Sequence, residues 1–307
     1  MAGVNRVAVL GATGCVGRQV CAAFTRNGDH VLAVAREYAD HVAAYDFRSI
    51  DLGAEPPERI AGTFADERVD VVVNATGGWG TTEHEMRYAH VQLVERLVEA
   101  MALVPSRPRL VHVGTIHEYG PVIDGTLIDE NTEPAPETLY ARTKLAGSEA
   151  VLRAARADQV NGVVLRSVNM CGPHPPGPSF LGFLRSRLRE AATDRSTVEL
   201  TIAPAKRDYV DVRDVAEAVA LAARAPVAGQ VINIGSAEAT EMRDLVTRFV
   251  TAAGFPPDRV RFLDNPVLSK GGDWTRADIR LAGKLLNWHP RISLPDSLRA
   301  TWESEST

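Results

Sequence analysis

Short, near-continuous apolar runs recur along the first two-thirds of the chain. Between them lie longer stretches in which apolar residues return every three or four positions. Residues 6–10 (RVAVL), 30–35 (HVLAVA), 69–74 (VDVVVN), 109–113 (RLVHV), 159–165 and 230–234 (QVINI) have the length and Val/Ile/Leu content of buried strands. Residues 15–27, 83–103 and 138–156 carry a helical period. Strands apolar on both faces, alternating with helices, predict an α/β fold: a doubly wound parallel sheet covered on both sides. The rhythm breaks after Met170, where 171–178 is a Pro/Gly loop; strand and helix signals return over 208–223 and 230–234, and the remainder from 236 reads as helix and loop. The chain therefore divides into a larger half, 1–170 with 208–236 returning to it, and a smaller, mostly helical half, 171–307, built mainly from 171–207 and 237–307.

Composition narrows the classes. With 307 residues and 45% hydrophobic content the chain can bury a substantial core. The net charge is −5 and the Lys and Arg residues are scattered, so no basic stripe suits nucleic acid. No apolar run approaches the ~20 residues that span a bilayer. The three cysteines, Cys15, Cys21 and Cys171, lack metal-ligand spacing and read as thiols in a reducing compartment. Met1 to Asn5 runs straight into a strand, without the pattern of a leader, and a cytoplasmic protein without metal is expected.

Between the first strand and the first helix stands Gly11-Ala12-Thr13-Gly14-Cys15-Val16-Gly17. Glycines at this spacing allow a tight turn, a close approach of backbone N–H groups to a pyrophosphate, and close packing of helix on sheet. The same Gly cluster without flanking strand and helix would be an ordinary turn; in this place it predicts a Rossmann dinucleotide site. At the end of the second strand comes Ala35-Arg36, where an NAD site would carry an acid for the ribose 2′-OH. Arg36, with Arg18 after the third glycine, favours NADP(H) over NAD(H), although a solvated loop arginine would look the same. Asp51-Leu52 falls where an adenine edge would be met. Asn74-Ala75-Thr76-Gly77, closing the fourth strand, would run its backbone past the cofactor.

Tyr140 and Lys144 are four residues apart in the helix predicted over 138–156, so both lie on one face. A lysine cation beside a phenol favours phenolate and lowers the Tyr pKa toward a range useful for proton exchange. Lys144 is also placed to hold the nicotinamide ribose. Thr115, ending the fifth strand, supplies a hydroxyl beside Tyr140, although a strand-end threonine also caps backbone.

Taken together, the glycine turn, Asn74, Thr115 with Tyr119-Gly120, and Tyr140/Lys144 resemble the extended short-chain dehydrogenase/reductases, over nearly the whole chain. The second half resembles their nucleotide-sugar branch, the 4-ketoreductases and 4-epimerases, in Leu165-Arg166-Ser167-Val168-Asn169, in Arg207-Asp208-Tyr209-Val210-Asp211, in Asn233-Ile234-Gly235-Ser236 and in the closing 277–288. The resemblance implies a nucleotide-sugar substrate held through its diphosphate by Asn169 and Arg207, with Lys270 in the place of a phosphate-binding Arg, and a homodimer paired through the apolar stripes of the helices over 83–103 and 138–156, stripes that could equally be spent on the sheet. Dehydratases of this branch carry an Asp-Glu pair directly after the catalytic Thr; here Ile116-His117 stands there, and Glu118 is one place out of register. Dehydration is therefore disfavoured. The resemblance implies instead reduction of the C4 ketone of a nucleotide-linked, dTDP-type 4-keto-6-deoxyhexose, with Tyr140 as proton donor. A 4-epimerase needs the same three residues but recycles its NAD, and Arg36 tilts the choice toward a reductase. A non-catalytic NADP-binding sensor would have no use for the Tyr140/Lys144 pair. His117 is a candidate sugar contact, and His90, where many relatives have Asn, reads as a packed helix residue. Trp79, Phe180 and Phe183 could line a sugar or base pocket, or pack in the core.

Overall fold

The computed structural model describes residues 5–78, 80, 82–265, 267, 269 and 272–304. Strand β1 (Arg6–Leu10) leads through the glycine turn into α1 (Cys15–Arg26), and β2 (His30–Ala35) pairs parallel to β1. After the edge strand β3 (Asp46–Ser49) come α2 (Pro57–Asp66) and β4 (Val71–Asn74), whose four residues are all buried. The helix expected over 83–103 is broken by a period change: α3 (Glu83–Arg87) passes through a π-helical turn, Tyr88–Gln92, into α4 (Leu93–Leu103). Strand β5 (Arg109–Thr115) ends in a 3₁₀ turn, Ile116–Tyr119. Helix α5 (Leu139–Arg156) starts on Thr138, whose side chain accepts the Ala141 N–H. Strand β6 (Asn161–Ser167) and, much later, β10 (Val231–Ile234) complete a seven-stranded parallel sheet. Its order is β10-β6-β5-β4-β1-β2-β3. The direction of winding reverses between β1 and β4, the position at which doubly wound sheets open a crevice at the carboxyl ends of their strands.

Alternation along each strand feeds two cores. Val7 and Val9 of β1 point with Val20 and Phe24 of α1 and Val215 and Val219 into one. Ala8 and Leu10 join Phe64, Leu97 and Val151 in the other, on the opposite face. The apolar residues of α4 and α5, among them Leu93, Leu97, Met101, Val151 and Leu152, belong to this second core. The stripes that suggest pairing across a two-fold axis thus lie against the sheet, while Arg142, Glu149 and Arg153 face outward. No helix among the described residues is long and apolar enough to cross a membrane.

The rest of the chain builds a smaller unit. Its elements are β7 (Asn169–Cys171), α6 (Phe180–Asp194), β8 (Val198–Leu200) and β9 (Lys206–Asp211), then α7 (Val212–Arg224) ahead of β10. After β10 follow β11 (Ala239–Glu241), α8 (Met242–Ala252), β12 (Val260–Phe262), α9 (Arg280–Leu286) and α10 (Leu294–Glu303). Of the segment 208–236, α7 packs on α1 and β10 joins the large sheet, whereas β9 pairs with β7 and β11 in a three-stranded sheet; α9 also leaves the smaller unit and packs on α7 and β10, with Ala282 and Leu286 in the first core. A third core, with Leu184, Leu188, Leu245, Phe249 and Leu298, underlies this unit. The stretch expected to be only helix and loop contains β11 and β12, three residues each and too short to show a period.

Candidate active site

The carboxyl ends of β1, β4 and β5 lie side by side, with Leu10 opposite Asn74 and Asn74 opposite His112. The glycine turn leaves β1 here. Gly11 has φ +76°, and a Cβ on Gly17 would stand 2.1 Å from the Gly11 carbonyl oxygen, so only glycine lets α1 approach this closely. Gly14 caps α1 without a side-chain bond, which leaves the first-turn amides of a 12-residue helix for a ligand. Thr13 and Val16 are part-buried at this turn. The Cys15 thiol lies 3.8 Å from the Pro173 carbonyl oxygen and is pushed up to about 11 by burial, so it is a neutral packing group.

Arg36 is exposed at the end of β2, and Ser49 Oγ donates to its carbonyl at 2.7 Å. Neither its guanidinium nor that of Arg18 has a hydrogen-bond or ion-pair partner among the described residues. Asp51 is engaged: its Oδ1 accepts from the Tyr88 hydroxyl at 2.6 Å and the Gly53 N–H at 3.1 Å, and Leu52 is buried beside it. Asn74 is also inward-facing. Its Oδ1 accepts from the Thr76 N–H at 3.1 Å and the Thr76 hydroxyl at 2.5 Å, and its Nδ2 donates to His112 Nδ1 at 3.0 Å. Asn74 thereby shapes the loop Ala75-Thr76-Gly77, whose Gly77 adopts φ +146°. A Cβ on Gly77 would lie 4.0 Å from Lys144 Nζ, so this backbone runs directly past the catalytic helix.

Thr115, Tyr140 and Lys144 come together as expected from their spacing. The Thr115 hydroxyl lies close enough to the Tyr140 phenol to favour its anion, and Lys144 Nζ donates to the Val113 carbonyl at 2.8 Å. The electrostatics differ from the expectation that Lys144 depresses the phenol. Burial, and then the charge of Glu118, push Tyr140 up to about 12, against the effect of the Thr115 hydroxyl. Burial likewise lowers Lys144, with Glu118 opposing. The reason is local: the ammonium is tied to a backbone carbonyl, while a carboxylate the sequence reading set aside lies close by.

That carboxylate, Glu118, is fully buried in the 3₁₀ turn. Its Oε1 accepts from the Thr115 N–H at 2.9 Å and the Ser148 hydroxyl at 2.9 Å, and its Oε2 pairs with Arg166 Nε at 2.8 Å. The sequence reading gives no role to Ser148 or Arg166 and sets Glu118 aside as out of register, yet the three meet beside Thr115. The available signal was Arg166, a charge directly after the apolar run Val163-Val164-Leu165 of a buried strand, where it demands a buried partner. His90 is buried, as a packed helix residue would be, yet its ring contacts are polar: Nδ1 lies 2.9 Å from Thr143 Oγ1 and Nε2 3.1 Å from the Gly78 carbonyl.

In the smaller unit, Asn169 and Arg207 lie on the neighbouring strands β7 and β9. Asn169 Nδ2 donates to the Asp208 carbonyl at 3.3 Å, and Arg207 Nη2 donates to Ser269 Oγ at 2.5 Å and the Gly272 carbonyl at 3.0 Å. His117 is part-buried, with its N–H 3.4 Å from Thr115 Oγ1. Phe180 packs against the third core and Phe183 is exposed. Lys270 and Trp79 lie outside the described residues. No metal-binding cluster occurs among the described residues. Two neighbouring hydroxyls and a buried ammonium beside a dinucleotide cradle can move a proton to or from a substrate oxygen as hydride moves at the neighbouring carbon.

Residues 7–235 match the family described as NAD dependent epimerase/dehydratase. A dTDP-6-deoxy-L-talose 4-dehydrogenase (NAD(P)(+)) of Kitasatospora kifunensis is 39% identical over 305 residues, 98% of this chain and 96% of that protein. A dTDP-L-rhamnose 4-epimerase of Burkholderia thailandensis is 33% identical over 172 residues, 54% of this chain and 45% of that protein. Among solved structures, a dTDP-glucose 4,6-dehydratase of Bacillus anthracis in complex with NAD superposes with a TM-score of 0.84 at 17% identity, covering 98% of this chain and 96% of that one. A UDP-glucose 4-epimerase of Thermotoga maritima does so with a TM-score of 0.84 at 20% identity, covering 97% of each chain. At such identities the structures speak to the fold, an α/β Rossmann sheet. Sequence match and fold agree: the chain belongs to the NAD dependent epimerase/dehydratase family, in the nucleotide-sugar branch of the extended short-chain dehydrogenase/reductases, and is an NAD(P)-dependent enzyme.

Proposed function

We propose that this enzyme reduces the C4 ketone of a dTDP-linked 4-keto-6-deoxyhexose with NADPH, Tyr140 delivering the proton to the C4 oxygen. The observation that carries the reading is the disposition of acids around Thr115. Its hydroxyl meets the Tyr140 phenol, while Glu118 of the same turn is buried and bonded to Thr115 N–H, Ser148 and Arg166. No carboxyl beside Thr115 is thus placed to move the further protons that dehydration requires. A relative matched over 96% of its length is named as a dTDP-6-deoxy-L-talose 4-dehydrogenase, which supports the same position on the sugar.

The cradle at Gly11, Gly14 and Gly17 fits a dinucleotide pyrophosphate, with Thr13, Cys15 and Val16 contributing backbone. Arg36 and Arg18, without an acid at the end of β2, favour the 2′-phosphate of NADP(H). When bound, the nicotinamide supplies or accepts hydride. Lys144 anchors its ribose, Tyr140 holds the proton, and Thr115 orients the carbonyl oxygen. Asn169, Arg207 and Lys270 hold the diphosphate of the sugar nucleotide, so residues 171–207 and 237–307 serve as the substrate side of the crevice, with His117 facing the ring.

The test is spectrophotometric. dTDP-4-keto-6-deoxyglucose with NADPH or NADH, and dTDP-6-deoxy-L-talose with NADP⁺ or NAD⁺, are followed separately at the nicotinamide band. A change with NADP(H) is expected. Recovery of a 4-epimerised sugar with no net change in either cofactor would replace the reductase by an epimerase, and tight NADP binding with no turnover of any sugar would replace it by a sensor.

A further inference from the structure

Glu118 sits where three elements meet behind the reacting hydroxyls. One carboxylate oxygen accepts from Thr115 N–H at the end of β5 and from Ser148 on α5, each at 2.9 Å; the other pairs with Arg166 of β6 at 2.8 Å. Arg166 is itself fixed, its guanidinium carbon 4.3 Å from the centre of the Tyr119 ring, and the Tyr119 hydroxyl donates to Asn233 Oδ1 at 2.9 Å. Gly114 makes room: a Cβ there would stand 2.7 Å from Glu118 Oε1. On α5, Tyr140, Lys144 and Ser148 follow at intervals of four, so one face of the helix carries the phenol, the ammonium and the hydroxyl that binds Glu118. A buried ion pair is a weak source of stability compared with apolar packing of the same volume. Its place here is informative because the carboxylate holds both elements that carry the Thr115 and Tyr140 hydroxyls, one through the Thr115 backbone and the other through Ser148 on the helix of Tyr140.

We propose that Glu118 is a positioning residue for proton transfer at Tyr140: clamped by Arg166, its carboxylate locks the end of β5 to the catalytic face of α5 and keeps a negative charge behind the phenol. The clamp sets where the Thr115 hydroxyl stands relative to Tyr140. The charge disfavours phenolate, in keeping with a phenol pushed up to about 12, and balances the Lys144 ammonium. The groups facing Tyr140 are Lys144 on its own helix, His90 on the π turn and Glu118 on the 3₁₀ turn, with His112 of β5 near Lys144 and His90. Both histidines are pushed down by burial, so they are neutral through the range in which the phenol titrates.

The inference rests on Tyr140 being the proton donor, and the experiment separates the two claims. Two double variants remove the pair without stranding a charge. Glu118→Gln/Arg166→Met keeps an oxygen for Thr115 N–H and Ser148 but deletes the charge; Glu118→Leu/Arg166→Met deletes both. Thermal unfolding and NADPH binding check that each is folded. In the first variant the alkaline limb of the kcat profile moves toward acid by about one pH unit, with KM unchanged. In the second, kcat falls by about tenfold or more with KM and NADPH affinity retained, as loss of orientation requires. Should neither variant fold, Ser148→Ala removes one bond to the carboxylate without altering charge and lowers kcat severalfold. Folded variants whose kcat and pH profile superpose on those of the parent overturn the proposal, as does an unaltered kcat in Ser148→Ala. Tyr140→Phe is run in parallel: full activity there sinks the proton-donor reading itself, whereas an inactive Tyr140→Phe beside unaltered Glu118 variants sinks only this one.

Discussion

The imidazole of His90 stands edge-on to the phenol ring of Tyr140, with ring centroids 5.4 Å apart and planes at 84°. A carbonyl oxygen only accepts, so His90 Nε2 carries the proton given to Gly78, and Nδ1 of the neutral ring accepts from Thr143. One ring thereby joins the loop after β4, the π turn and the catalytic helix. The π turn, with its extra residue, carries His90 at this junction; such turns often mark functional sites.

Burial, and then the Lys144 ammonium, push His90 down from 6.5 to about 4. The unfolded chain binds this proton more readily than the folded one, so the associated stability is complete above pH 6.5 and is lost as pH falls through about 4. The interval corresponds to about 3 kcal/mol. A His90→Gln variant, which keeps an amide donor and acceptor but does not titrate, is expected to have a flatter acid limb in urea unfolding between these pH values. Parallel limbs for parent and variant would refute the assignment.

Gly147 lies under the same π turn: a Cβ there would stand 2.2 Å from the His90 carbonyl oxygen. Gly62 in α2 is its opposite, with nothing within 4 Å of the added atom. Gly62→Ala should stabilise the protein by about 0.5–1 kcal/mol through helix propensity and loss of unfolded-state freedom. Gly147→Ala should destabilise it by about 1–3 kcal/mol or more by forcing α5 off the π turn, and should also reduce kcat. Equal effects at the two glycines in urea unfolding would show that the close approach is not needed.

Arg166 and Glu118 are 4% and 0% exposed in their side chains, so neither charge reaches solvent. Arg166→Met alone leaves the carboxylate unpaired and should destabilise the protein by about 3–5 kcal/mol. Adding Glu118→Gln should recover most of that loss. A double variant no more stable than Arg166→Met would mean that the packing of the arginine stem over Tyr119, rather than its charge, holds the region.

The strands at 6–10 and 30–35 were legible because each is an unbroken apolar run buried on both faces. Strand β4 starts two residues later than its run suggests, although Asp70 N–H already donates to the Arg6 carbonyl and its own carbonyl accepts from Arg109 N–H, while its carboxylate takes the Arg6 N–H. Tyr140, Lys144 and Thr115 were legible as a group, since helical spacing and the end of a strand bring them to one place. The sign of the perturbation at Tyr140 was not. It depends on Lys144 being held by Val113 and on Glu118 pointing inward, and the orientation of a residue in a 3₁₀ turn is decided by a partner 48 positions away, Arg166. The π turn escaped for a related reason: one extra residue in a helix leaves the apolar pattern on both sides intact.

Arg36 offers the most direct handle on the cofactor. It is exposed at the end of β2, its carbonyl is held by Ser49 Oγ, and no carboxylate pairs with its guanidinium among the described residues. The neighbouring Asp51 is no substitute for an acid at the end of β2, because Tyr88 and Gly53 already bond to it. Arg36→Asp would place a carboxylate where a ribose 2′-OH can donate to it and a 2′-phosphate is repelled. Loss of a charge-assisted bond, with repulsion added, should weaken NADPH by about tenfold or more, while NADH binds as well as before or better. Arg18→Ala, in the first turn of α1, should weaken NADPH by a smaller factor and leave NADH unchanged. Fluorescence titration of each variant with both cofactors measures these constants directly. An Arg36→Asp protein that still prefers NADPH would move the 2′-phosphate contact elsewhere, and a parent protein that binds NADH more tightly would return the enzyme to the NAD-recycling class and with it to epimerisation.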